Sequence, residues 1–319
     1  MLPYLARRIA NYAVLLFIAT SLAYLLASAS LDPSNLWNRE DPTLNWTAIN
    51  ANLVDYNISA DLPVWDRYVT WLRGVVTSWD WGVTPKGEVV NDLIGVKIGV
   101  SVRLVFLGAA IGITGGVALG AWTATRQYKF SDRAVTLLSM LIISTPAMVL
   151  AILLQVVAVQ INRQTGYQIF EFTGEGEGLA GRLQHLVLPT LSMSLGAVAA
   201  YSRYQRNLML DTLGADYVRT ARAKGLVKRQ AVTRHALRTA LFPMATYFAF
   251  ALAGLFTGAA ITERVYAWHG MGEYSIDSIS QYDINGVTAV VAFSGLCTLT
   301  GALLSDVFVA IVDPRVRVS

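Results

Sequence analysis

Apolar residues gather along this chain into six runs free of Asp, Glu, Lys and Arg: residues 9–31, 104–125, 134–162, 183–202, 239–262 and 284–305. Each reaches the ~20 residues that a helix needs to cross ~30 Å of hydrocarbon. Lipid offers no partner to backbone N–H and C=O groups, so such runs form helices that satisfy themselves. The pattern predicts an all-α, polytopic membrane protein with six transmembrane helices. Between the first two runs, Trp65, Tyr68, Leu72, Val75, Val76 and Trp79 recur at helical spacing behind the start signals Asp61 and Pro63. This predicts an amphipathic helix along the outer membrane face, where Trp is favoured. A second amphipathic piece, residues 89–103, leads into the second span. The chain thus divides into a first helix (1–31), an external Trp-rich segment (32–98) and a core of five helices (99–319), with a cytosolic loop at about 203–241.

Composition agrees: 54% of residues are hydrophobic and 14% charged, against about a quarter charged in soluble domains. The charges also sort by side. Arg7 and Arg8, then Arg126, Lys129 and Arg133, then the segment from Arg203 to Arg238, then Arg315 and Arg317 all fall on one side. Acidic residues crowd the other, including Asp32, Asp61, Glu88, Glu175 and Glu263. The positive-inside rule places both termini and the basic segment in the cytosol. The net charge of +4 therefore reports topology and gives no support to a nucleic-acid partner. Arg7, Arg8 and Ala27-Ser28-Ala29 imitate a cleavable signal, but the first run exceeds the ~7–15 residues of a signal core and is expected to stay. A single cysteine, Cys297, excludes an intrachain disulfide.

Inside the spans, Gly108, Gly112, Gly116 and Gly120 form an every-fourth stripe, echoed by Gly254 and Gly258. Small residues at this spacing let helix backbones approach closely, and the same smooth face would let helices slide. Pro146, after Ser144 and Thr145, is expected to kink the third helix. Asp306 interrupts the last run near its cytosolic end; both a structural partner and ion coupling are open to it. No GxxxxGK[ST] phosphate loop, HExxH or GxSxG motif occurs, and His185, His235 and His269 are scattered. No catalytic residue and no metal site are expected.

The basic segment has more order than a topology signal requires. Residues 216–226 read DYVRTARAKGL. Small Thr220, Ala221 and Ala223 alternate with Arg219, Arg222 and Lys224, and Gly225 can adopt the left-handed conformation that stops a helix. A second helix, 227–241, is expected to follow and lead to Pro243. The result would be a short, slim helix able to seat in a groove of another protein.

This motif, with RHALRTALFP at 234–243, resembles the coupling loop of ABC importer permeases, and most closely that of the oligopeptide/dipeptide permease family. The start (residues 4–17), Phe130–Arg133, ERVYAWHGMGEY at 263–274 and the ending Asp313-Pro314-Arg315-Val316-Arg317 are similar as well. Arg219, Thr220 and Ala221 stand where the generic motif has Glu-Ala-Ala, a substitution common in the peptide branch. Trp268-His269-Gly270 replaces Trp-Pro-Gly, and Gln281-Tyr282-Asp283 and Leu31-Asp32-Pro33 also depart from the family pattern.

The resemblance implies a type I ABC importer permease fold in a prokaryotic plasma (inner) membrane. It implies a second homologous permease subunit, two cytosolic ABC ATPase subunits or domains carrying ATP and Mg, an external substrate-binding protein, and contact with membrane lipid. This chain itself would hold no cofactor. Asp216, Arg219, Thr220, Ala221, Arg222, Ala223, Lys224, Gly225 and Leu226 would couple to an ATPase. Glu263, Trp268, His269 and Gly270 would lie at the outer mouth, near the binding protein. Cargo would be oligopeptides or dipeptides, although similar permeases carry nickel chelates, glycosides and other solutes. The alternative reading is an ion-coupled secondary transporter that uses Asp306.

Overall fold

The computed structural model describes residues 2–312, with side chains for residues 6–244, 259–304 and 306–307. The Asp313–Arg317 ending and the side-chain surroundings of Gly254 and Gly258 lie outside the described residues. Among the described residues every element is helical, and two compact units emerge: residues 1–101 with 269–299, and residues 102–268 with the chain from 300 onward.

The first unit holds α1 (Leu2–Ser30), α2 (Trp46–Asp55), α3 (Val64–Ser78), the start of α4 (Val90–Ala124), α11 (Met271–Ser280) and most of α12 (Ile284–Val312). The expected external helix exists as α3, but half of its aromatic stripe is core. Trp71 stacks on Tyr24 of α1 at 4.5 Å between ring centroids, and the Tyr68 hydroxyl donates to Ser21 Oγ at 3.0 Å. Arg67 is buried and donates from Nη2 to the Ser28 carbonyl at 3.0 Å, while its own carbonyl accepts from Tyr24 and Asn57. The Ser28 carbonyl at the end of α1 and the Ile58 carbonyl thus offset part of the penalty that burial puts on this guanidinium. Trp65, Val69, Val76 and Trp79 stay exposed. The helix docks one side on α1.

The second unit contains the rest of α4, α5 (Phe130–Ser144), α6 (Ala147–Thr165), α7 (Gly178–Leu213), α8 (Asp216–Ala223), α9 (Lys228–Ala231) and α10 (Leu237–Val265). α7 is the hub, packing against α5, α6 and α10. Two expectations change here. The third apolar run is two helices and not one kinked helix: Thr145 is extended (φ −88°, ψ 126°) and α6 starts directly after Pro146. Proline lacks the N–H that would continue the ladder and disfavours helical backbone in the residue before it. The second basic helix, expected to end at 241, does not end. α9 passes through a π-helical turn, Val232–Ala236, straight into α10, with Pro243 inside the helix.

Five helices among the described residues are long and apolar enough to cross a membrane: Ala6–Ser30, Val90–Ala124, Ala147–Thr165, Gly178–Leu213 and Ile284–Leu304.

Candidate functional site

The basic segment forms α8, an eight-residue helix closed by a well-defined stop. Its start has no side-chain cap; the Ala215 carbonyl accepts from Val218 and Arg219 N–H. At its end Leu226 N–H donates to the Ala221 carbonyl at 3.3 Å and Gly225 N–H to the Arg222 carbonyl at 3.0 Å. Gly225 has φ +92°. This is the paired 6→1 and 5→2 closure of a Schellman motif, with glycine at the left-handed position. A Cβ on Gly225 would meet nothing within 4 Å, so the constraint there is backbone conformation and not space.

The two sides of α8 differ. Val218 and Ala221 are buried, and Val218 packs with Ala124 of α4, Met209 of α7 and Ala231, Ala236 and Ala240. Asp216, Arg219, Thr220, Arg222, Ala223, Lys224 and Gly225 are exposed, and Leu226 is half-buried. The nine residues expected to act together therefore divide: Ala221 faces its own chain, while the cations face out. Sequence reasoning missed Val218 as the anchor, although an apolar pair three apart in a polar stretch was there to be read.

Beside this seat, Arg206 of α7 grips Asp132 of α5 with two hydrogen bonds, Nε to Oδ1 at 2.6 Å and Nη2 to Oδ2 at 2.8 Å. Tyr128 N–H adds a third at 3.0 Å. The Arg206 bonds hold the Asp132 carboxyl below the usual carboxylate range despite its burial. The partners are 74 residues apart, and one sequence carries no signal that pairs them.

The glycine stripe lies against α7. A Cβ on Gly108 would come 3.0 Å from Met193 Cβ and one on Gly116 2.6 Å from Tyr201 Cβ. At Gly112 it would collide with Ala197, and at Gly120 with the Ser202 carbonyl. Met193, Ala197 and Tyr201 also repeat every fourth residue, so the two stripes mesh along the helices.

On the other side, the loop after α10 is tied inward. Trp268 N–H donates to the Glu263 carbonyl at 2.7 Å, Tyr266 Oη to the Ala151 carbonyl at 3.2 Å, and Gln155 Nε2 to the Val265 carbonyl at 3.0 Å. Glu263, Trp268 and Gly270 are buried, while His269 is exposed with Nδ1 2.7 Å from a Glu273 oxygen. Of the four residues expected near the outer mouth, His269 alone has an exposed side chain. Asp306 is half-buried on α12 and has a polar or electrostatic contact within the protein.

Comparison with known proteins places these features in a family. The family model described as "Binding-protein-dependent transport system inner membrane component" matches residues 116–318. The "Oligopeptide transport system permease protein OppB" of Mycobacterium tuberculosis is 47% identical over 328 residues, covering 100% of both chains. The "Dipeptide transport system permease protein DppB" of Bacillus subtilis is 30% identical over 320 residues, covering 99% of this chain and 98% of that one. A crystal structure of an amino acid ABC transporter with histidines aligns over 69% of this chain and 94% of its own, at 16% identity and a TM-score of 0.49. The chain belongs to the family of binding-protein-dependent transport system inner membrane components, and is a multi-pass plasma-membrane ABC permease.

Proposed function

We propose that this chain is the permease subunit of an ATP-driven importer of oligopeptides or dipeptides delivered by an external substrate-binding protein. It would work beside a second homologous permease and above two cytosolic ATPases, which carry ATP and Mg. α10, which contains the remaining apolar run, would be the sixth span, with both termini cytosolic. The observation that carries this reading is α8, fixed through Val218 and Ala221 on one face and basic on the other. Full-length similarity to permeases named for peptide transport supports the cargo class.

ATPase closure would press on the exposed face of α8. Because the opposite face is packed on α4, α7 and the α9–α10 helix, the press would move those helices together. Import then requires two arrangements of the spans, one of them favoured by the nucleotide-bound ATPases. The chain would contribute binding, shape and motion, and no bond-making step.

The test is peptide uptake by vesicles carrying the assembled importer, with Gly225→Val in this chain. Valine cannot hold φ +92° without strain. Insertion should be normal and uptake at least about tenfold lower, the equivalent of ~1.4 kcal/mol. Undiminished, ATP-dependent uptake by well-inserted Gly225→Val would sink the coupling role of α8.

A further inference from the structure

Two adjoining cavities, of 430 and 550 Å³, open beside the α8 seat and share Arg126, Lys129 and Lys228. Each lies within the ~300–1,000 Å³ range of small-molecule clefts. Arg222 adds a cation to the first and Arg229 to the second. Among the described residues no carboxylate lines either cavity. The buried Asp132 on the following helix is already held by Arg206. The floor is apolar, formed by Trp122, Leu210, Val232 and Leu237. Arg126 lies over the Trp122 ring, 4.3 Å from its centroid.

We infer that this cleft binds the phosphate headgroup of an anionic membrane phospholipid, with the acyl chains running along the end of α4. Three stretches of chain supply the cations: the α4–α5 turn, α8 and α9. A topology signal needs positive charge on a side, but it does not need cations from separate elements to converge on one concave, acid-free space. Headgroup depth follows from the sequence, since the second apolar run ends at Thr125 and Arg126 is the next residue. Juxtamembrane cations attract anionic lipid headgroups, and pockets of this kind between spans hold them. An acidic segment of another protein would meet the same charge but would not require the apolar floor. The inference rests on the membrane location and not on which solute is carried.

The test is native mass spectrometry of the full-length chain released from micelles holding equal phosphatidylglycerol and phosphatidylcholine. Phosphatidylglycerol should be retained preferentially. Replacing Arg126, Lys129 and Lys228 together with Gln should cut its affinity roughly 100-fold, at about fivefold per cation. Replacing Arg203, Arg234 and Arg238 with Gln removes equal charge outside both cavities and should leave retention intact. Equal loss in both triple variants, or no preference between the two lipids, overturns the site. Displacement by millimolar inorganic phosphate, or by poly-glutamate at matched charge, overturns the lipid as its ligand. A readout that spares the cations is quenching of Trp122 by brominated phosphatidylglycerol: Trp122→Phe should remove a quenched component, and its persistence counts against the site.

Discussion

Asp283 stands where a buried tyrosine, a close-packed glycine and the start of α12 meet. Its Oδ1 accepts from Gly286 N–H at 2.9 Å, and Tyr274 Oη donates to Oδ2 at 3.3 Å. Burial outweighs these bonds and pushes its pKa up to about 6. The folded state thus holds this proton more tightly than the unfolded chain does. Its stabilising effect is complete below pH ~4 and is lost as pH rises to ~6, on the order of 3 kcal/mol in all. Thermal melting in detergent should therefore fall across that window in the native protein, and Asp283→Asn should flatten the fall. An unchanged slope in the variant would assign the effect to another group. In the sequence Asp283 was legible only as part of a departure from the family pattern. Its burial was not, because the groups that enclose it come from α11 and from the packing of the unit.

At the scale of elements, the meshing of α4 with α7 depends on absent side chains. Gly116→Leu would place a Cβ within contact of Tyr201 and of the Ser202 backbone, and should destabilise by about 1–3 kcal/mol. Gly196, also on α7, has nothing within 4 Å of a built Cβ. Gly196→Ala should leave stability unchanged or raise it by up to ~1 kcal/mol through helix propensity. Melting the two variants side by side separates close packing from a general dislike of larger residues. The stripe was readable because its period is that of the helix itself. The break at Thr145 was readable only as a disturbance, since proline signals a kink and a stop alike. The π-helical turn left no mark, because one extra residue in a turn does not change composition.

For the whole molecule, sidedness is the property that composition exposes best. With Cys297→Ser as background, a cysteine at exposed Thr220 should react with a membrane-impermeant maleimide only in inside-out vesicles, and one at exposed Glu40 only in right-side-out vesicles. Both labelling from one side would overturn the six-span arrangement. The division into two units was not legible, because the first unit joins residues 1–101 to 269–299 across nearly the whole core. Apolar runs reveal depth in a membrane and say nothing of neighbours. The uninterrupted helix over residues 228–265 is about 55 Å long at 1.5 Å per residue, and one end adjoins α8 while the other carries the tied loop at Glu263–Trp268. A sideways push of one helical pitch, ~5.4 Å, at the α8 end would turn such a rod by about 6° if the far end is held. In the proposed importer the motion delivered to the outer side would then be rotation about an anchored end, and the π-helical turn, which starts four residues after Lys228 at the pushed end of α9, is where twist would be taken up before it travels.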